Sequence, residues 1–352
     1  MNTKIKNFNL SVSNILGIFI LISTCFYIIV FPHYFNPDYY SYKKVFLKDI
    51  NLKSFNILFF SVFSHLFKNF CDYKTFRSLL ALFQISSYFF IFKKLNLKIK
   101  SINPYLGLLI SSFLIIKVHV QIRESLAILI WFYFLSFYDI NKNFSIKETI
   151  ICFLSLFMHS SSLILWIPTL IYKSKNFLKN NKRIFIYLFF ILIGIFSCST
   201  FIRIYYTPLV NNQILYAREN FEIYLNYYSI EISLKKIIYW FFYIITFFGI
   251  YFEENIKNSK ILVKNPNFRI PYFFRFISLN GSLAYLSTVL IYGFIFQINK
   301  LDYNLIYRTE FMLLFLLGLY RNIIHPNKKF TLVLNCLICF DIIRLIFVNG
   351  NI

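Results

Sequence analysis

A helix that crosses a lipid bilayer needs about 20 apolar residues, because the hydrocarbon core is about 30 Å thick and each helical residue rises about 1.5 Å. This chain meets or approaches that length at 11–31, 78–92, 101–118, 122–138, 149–172, 184–202, 234–252, 271–298, 305–323 and 331–348. Backbone in lipid must satisfy its own hydrogen bonds, so such runs fold as helices. The fold expected is all-α: a polytopic transmembrane helix bundle with about ten spans. The run 56–67 is too short to span and is expected as a re-entrant or interfacial helix. Hydrophobic residues make up 58% of the 352 and charged residues 14%, a balance that no soluble globular class shares. The polar stretches are too short to form a separate soluble domain. A single integral membrane domain over 1–352 is expected, with outer loops at about 32–77 and 203–233.

The net charge of +23 would suggest nucleic acid in a soluble protein. Here the Lys and Arg residues lie in short loops between apolar runs, where they orient helices by the positive-inside rule, so no nucleic-acid partner is expected. The basic clusters KKLNLKIK (93–100), KSKNFLKNNKR (173–183), 253–269 and HPNKK (325–329) are placed in the cytoplasm. The N-terminal segment has no small-x-small cleavage site and reads as an uncleaved first span with its start inside. Two runs must then return without crossing: 56–67 as an outer re-entrant or interfacial helix, and 149–172 as a broken hairpin turning at His159. The competing topology makes both full spans, at the cost of putting 93–100 outside.

Six cysteines occur. Cys336 and Cys339 form a CxxC, but inside an apolar run and without a second ligand pair, so they read as small core residues rather than a metal site. There is no P-loop, GxGxxG, HExxH or GxSxG. Neither a cofactor nor a metal is expected, and ATP-driven chemistry is disfavoured.

The stretch 119–171 carries the polar groups that a lipid-facing helix should lack. Ionisable side chains at membrane depth usually face a bundle interior or a water-filled cavity. Arg123 opens the run IRESLAILIWFYFLSF, with His119 four residues earlier and on the same helical face if the helix is continuous. Its donor fork suits a phosphate or a carbohydrate carboxylate; the bland alternative is an arginine snorkelling to headgroups. His159 and the serines after it interrupt FLSLFMHSSSLILWIPTLI, as a site residue or as a buried, hydrogen-bonded structural histidine. Asp38 sits among Tyr34, Phe35, Tyr39, Tyr40 and Tyr42. Aromatic rings stack on sugar faces and a carboxylate deprotonates an acceptor hydroxyl; the alternative is an interfacial aromatic belt with a solvated Asp. Arg203, Arg218 and Arg308 fall on the outer side in either topology, where their convergence would hold a pyrophosphate. Asp341 and Arg344 read as a structural pair.

Three segments carry a resemblance: NPDYYSYKKVF after the first span, IRESLAILIWFYFLSF, and FLSLFMHSSSLILWIPTLI. Together with the late YRTEFMLLFLL they resemble the EpsG family of Wzy-type polysaccharide polymerases. That family has a "DY..Y" segment in its first outer loop, an "R..lA" helix, an "fH.sal" segment about 35 residues further on, and an "R...yf" helix. Glu124 departs from the pattern, since a neutral residue is expected after the arginine. The resemblance implies an enzyme of the bacterial cytoplasmic (inner) membrane that joins oligosaccharide repeat units carried on undecaprenyl pyrophosphate into O-antigen, capsule or exopolysaccharide. Its implied partners are that lipid-linked oligosaccharide, membrane lipid, and a flippase and chain-length regulator of the same pathway. Asp38, Arg123, His159 and Arg308 fall on the motif positions. Asp38 or His159 would activate the acceptor hydroxyl; Arg123 and Arg308, helped by Arg203 and Arg218 in the long outer loop, would stabilise the departing pyrophosphate. Two alternatives remain open. A flippase for lipid-linked sugars should show repeat symmetry between halves, and none is visible; a membrane acyltransferase wants a His paired with a carboxylate.

Overall fold

A computed structural model describes residues 12–33, 36, 38–47, 55–95, 104–138, 145–159, 162–173, 229–230, 241–250, 269–290, 301–324 and 329–338. The described elements are helices apart from one antiparallel pairing of two-residue strands, β1 (Ser229–Ile230) with β2 (Leu301–Asp302), in register Ser229 to Asp302. They divide between two compact units. The first spans Met1–Ser136, Phe157–His159 and Ile338–Ile352; the second spans Phe137–Leu156 and Ser160–Leu337.

In the first unit α1 (Val12–Val30) is apolar throughout and buries only Gly17, Leu21 and Ile28. Phe19, Ile22 and Phe26 stay exposed, as suits a helix face in lipid. Helix α2 (Tyr39–Leu47) is short and followed by α3 (Phe55–Lys68). At 14 residues α3 is about 21 Å long, too short to span, and it packs on α2 and α4 through the cluster of Phe46, Phe60, Tyr73 and Phe76. Helix α4 (Tyr73–Lys94) begins five residues before the apolar run expected there. Asp72 caps it by accepting a 2.9 Å hydrogen bond from the Thr75 N–H, and Lys93 and Lys94 close it, where cations favour the negative helix end. Helix α5 (Pro104–Phe113) continues into a seven-residue π-helix, Leu114–Val120. The Gln121 N–H closes it by reaching the Ile116 carbonyl at 3.1 Å. Helix α6 (Ile122–Phe137) follows at once.

Helices α1 and α5 meet backbone to backbone: a Cβ on Gly107 would lie 2.6 Å from the Gly17 carbonyl oxygen. Small residues permit such approaches in membranes, where close van der Waals packing replaces the hydrophobic driving force. The Ser78 hydroxyl donates to the Ile29 carbonyl at 2.7 Å, so the end of α1 meets the start of α4.

In the second unit α7 (Ile146–Met158) and α8 (Leu163–Lys173) are 13 and 11 residues long, each shorter than a span. Ser145 and Glu148 form a capping box at the start of α7, with Glu148 Oε2 accepting from the Ser145 N–H at 2.6 Å and Ser145 Oγ from the Glu148 N–H at 3.4 Å. The other oxygen of Glu148 takes the Lys173 ammonium at 2.5 Å, both groups being buried. The first turn of α7 thus touches the last turn of α8, and the segment folds back on itself. That is the geometry of a broken hairpin, and it cannot exist if 149–172 crosses as one span.

Helix α9 (Phe241–Ile250) is tied to α10 (Arg269–Leu290) by a 2.6 Å bond between the Tyr243 and Ser282 hydroxyls. Helix α11 (Tyr303–Ile324) packs along α10 and is joined to α12 (Lys329–Ile338) by the reciprocal amides of Asn322 and Asn335, at 2.9 and 3.3 Å. Polar side chains of this kind hold helices together in lipid.

The helical class is therefore observed. Among the described residues α1 and α4 are long and apolar enough to cross a membrane, and Pro104–Val120, Phe241–Ile250, Phe311–Ile324 and Lys329–Ile338 are shorter apolar helices. The expected run 184–202 lies outside the described residues, and two clear spans stand where about ten were expected.

Candidate active site

The π-helix creates the site. One residue too many per turn breaks the hydrogen-bond ladder and leaves carbonyls near its end for side chains. The His119 carbonyl accepts two donors: Asn36 Nδ2 at 2.6 Å, from the segment after α1, and Arg77 Nη2 at 2.8 Å, from α4. Arg77 Nη2 also reaches the Val118 carbonyl at 3.2 Å. The loop after α1, the first turns of α4 and the break before α6 are pinned together at one oxygen.

Asp38 is half-buried in the turn before α2, and its carbonyl accepts the Tyr42 N–H at 3.0 Å. Arg123, also half-buried on the first turn of α6, donates from Nε to the Tyr42 hydroxyl at 3.2 Å, and its guanidinium carbon lies 5.6 Å from the centre of the Tyr42 ring. Tyr42 in turn packs on Phe60 of α3, ring centres 5.1 Å apart. Two residues 85 apart in sequence are thus joined through one tyrosine. Burial raises the Tyr39 hydroxyl above its ordinary value, with Asp72 adding to the rise and Arg77 opposing it. A half-buried carboxylate, a ring of tyrosines and a guanidinium fork can bind a sugar, take a proton from its hydroxyl and neutralise a phosphate.

Just inside this layer lies a buried ion pair. Lys117 Nζ donates to Glu124 Oε1 at 2.9 Å and to Gln121 Oε1 at 2.8 Å. Glu124, the residue that departs from the motif, is therefore matched by a lysine that the π-helix brings alongside it.

Of the residues singled out in the sequence, Asp38 and Arg123 lie in the same unit, Tyr42 being one helical turn after Asp38 and in contact with Arg123, and His159 is assigned to that unit too, half-buried immediately after α7. Arg308 lies on the second turn of α11 in the second unit. Arg203 and Arg218 lie outside the described residues, as do Asp341 and Arg344. The β1–β2 pairing does join Ser229–Ile230 to the segment that leads to Arg308. His119 is a correction: the chain breaks at Gln121, so it does not share a continuous helix face with Arg123. Its ring lies 5.4 Å from Tyr27, and its carbonyl, not its imidazole, organises the site. Asn36 and Arg77 were missed. A backbone-directed role leaves no motif, and Arg77 reads as a loop charge until the cap at Asp72 draws it into α4. Among the described residues no group of three or more His, Cys, Asp or Glu could hold a metal ion.

Among curated proteins and solved structures no match is found. The model of the EpsG family matches residues 17–350, nearly the whole chain. The apolar helices, the helix break with its polar layer and this match agree, and the chain belongs to the EpsG family, a family of Wzy-like polysaccharide polymerases.

Proposed function

We propose that this protein polymerises oligosaccharide repeat units carried on undecaprenyl pyrophosphate, at the outer face of the bacterial cytoplasmic membrane, into O-antigen, capsule or exopolysaccharide. The observation that supports the reading is the contact of Arg123 with the hydroxyl and ring of Tyr42, one helical turn after Asp38. A hydroxyl of one repeat unit attacks the anomeric carbon of another, and the bond from that carbon to pyrophosphate breaks. Asp38, or His159 in the same unit, takes the hydroxyl proton, and Arg123 receives the charge that develops on the leaving pyrophosphate. Arg308, Arg203 and Arg218 are the further cations proposed to add to that neutralisation. Positive-inside orientation supports that face. Lys93 and Lys94 end α4 at the pole opposite Asp38, and a cytoplasmic position for them leaves Asp38 outside. A flippase and a chain-length regulator of the same pathway are the protein partners this reading calls for.

The test is the surface-polysaccharide profile of a host strain lacking the gene, complemented with wild type, Arg123→Ala, Asp38→Asn or His159→Ala. The expected result is loss of the long-chain ladder on deletion, with carriers bearing one repeat unit, and no restoration by variants present in the membrane at wild-type amounts. A full ladder after deletion overturns the reading. Unpolymerised units held at the cytoplasmic face point instead to a flippase.

A further inference from the structure

Helix α3 is 14 residues long, too short to cross a bilayer, and its ring contacts show how it lies. Phe60, Phe63 and Phe67 all meet the one ring of Phe76 on α4, with ring centres 6.1, 6.1 and 5.6 Å away. Those three residues spread over about 10 Å of α3, yet they meet α4 at a single level. A helix running along α4 would meet a new level at each turn, so α3 crosses α4 instead. Helix α4 is long and apolar enough to span, and a helix that crosses a span lies near the membrane plane.

Two further contacts fix the level of that crossing. The Ser78 hydroxyl bonds the Ile29 carbonyl, one residue before α1 ends at Val30, and Phe76 is only about 3 Å along α4 from Ser78. The Phe70 and Cys71 N–H groups both bond the Phe67 carbonyl, at 2.9 and 3.1 Å, so the chain turns from α3 into α4 without leaving this level. Helix α3 therefore lies where the apolar helix α1 ends and hydrocarbon gives way to headgroups. Around its own axis it has distinct sides. Phe60 and Ser64 are buried, whereas Val62 is 41% exposed, Leu66 62%, and Phe70 in the turn that follows 86%. At about 100° per residue, Lys68 lies about 160° round the helix from Leu66. Apolar on one open side and basic on the other, α3 has the pattern of a helix that rests in a bilayer surface.

We propose that α3 is an interfacial helix whose partner is the lipid surface itself. Val62, Leu66 and Phe70 enter the boundary between acyl chains and headgroups, and Lys68, with the exposed Lys74 at the start of α4, takes the headgroup phosphates. Phe60 of the same helix packs on the Tyr42 ring, 5.1 Å away, and Tyr42 receives Arg123. Through α3 the lipid surface thereby sets the height of the Arg123–Tyr42 contact. This placement goes beyond the polymerase reading and does not rest on it.

The test measures depth. In the full-length protein cleared of its native cysteines, Leu66→Cys and Phe70→Cys each carry a nitroxide, in vesicles of phosphatidylethanolamine and phosphatidylglycerol. Oxygen concentrates in hydrocarbon and a nickel chelate in water, so the ratio of the two relaxation effects reports depth. Phe19→Cys, exposed on α1, marks the hydrocarbon, and nitroxide free in buffer marks water. The ratio at Leu66 and Phe70 should stand about tenfold above the free label and below Phe19, as for side chains about 5–10 Å into the interface. A ratio equal to the free label puts the face in water, and one equal to Phe19 makes α3 a deep re-entrant helix. Shielding from both reagents means that protein covers the face. Each of these three results overturns the proposal. Should the cysteine-free protein not fold, a phospholipid with a carbene precursor at the top of its acyl chain decides on the wild-type protein. Adducts at 62–70 support the placement, and adducts confined to other segments reject it. A full ladder in the deletion strain would remove the polymerase and leave this depth measurement standing, so the two readings fail separately.

Discussion

Arg123 donates to the Tyr42 hydroxyl and lies over its ring, and that makes Tyr42 a residue on which the site's geometry depends. A hydrogen bond to a charged group contributes about 1.5–3 kcal/mol, and here it also aims the guanidinium. Tyr42→Phe keeps the ring on Phe60 and the cation–π contact while removing the oxygen. It is expected to slow polymerisation about tenfold or more with the protein still folded, read as a shortened ladder at equal membrane abundance. Unchanged ladder length would take Tyr42 out of the site. The neighbouring Lys117–Glu124 pair answers to different physics. Removing one member of a buried pair costs about 3–5 kcal/mol, because the other charge is stranded, whereas removing both is often nearly neutral. Glu124→Gln alone should lower thermal stability sharply, and Lys117→Met with Glu124→Gln should recover most of it. Equal losses in the single and double variants would show that the pair is not what sets the stability.

At the scale of elements, helix ends and helix contacts decide what the apolar runs leave open. The runs 11–31 and 122–138 become α1 and α6 with boundaries close to those read from hydropathy. The run 101–118 hides a π-helix, because an inserted residue changes hydrogen bonding without changing composition. The run 78–92 starts late because the first turns of α4 are polar, and their helicity depends on Asp72. The hydrogen bonds to Thr75, the side-chain one first, hold the Asp72 carboxyl below its ordinary value. A lowered carboxylate stabilises the fold above its unfolded-state value near 3.8 and loses that contribution as pH falls through the lower folded value. Asp72→Asn, which still caps, should therefore flatten the acid limb of thermal stability below about pH 4 while leaving neutral stability little changed. An acid limb identical to wild type would exclude Asp72 as its source. Packing is equally illegible from one strand of sequence: Gly107 looks like any glycine until Gly17 is found 2.6 Å from where its Cβ would be.

At the scale of the whole molecule, sequence pattern carries class and motif order, while sidedness depends on which ends meet. Hydropathy alone leaves two topologies, and they differ over two short runs. Three contacts separate them. Ser78 reaches Ile29, Asn36 reaches the His119 carbonyl, and Lys173 reaches Glu148. The first two put the start of α4 and the end of the π-helix level with the end of α1 and the segment after it, so that if α1 crosses, α3 returns without crossing. The third does the same for α7 and α8. Asp38 and Arg123 could be picked out as motif residues, but the contact of Arg123 with Tyr42 needed these folds-back, which no local pattern records. With the basic clusters in the cytoplasm, the expected topology has Tyr40 outside and Lys94 inside. In a variant cleared of its native cysteines, Tyr40→Cys should react with a membrane-impermeant maleimide in intact cells, and Lys94→Cys should react only after the membrane is opened. Both positions are exposed on their helices, so labelling reports side rather than burial. If Lys94→Cys is the one labelled from outside, Asp38 and Arg123 face the cytoplasm. Polymerisation at the outer face would then have to be abandoned even though every contact within the site stayed as it is.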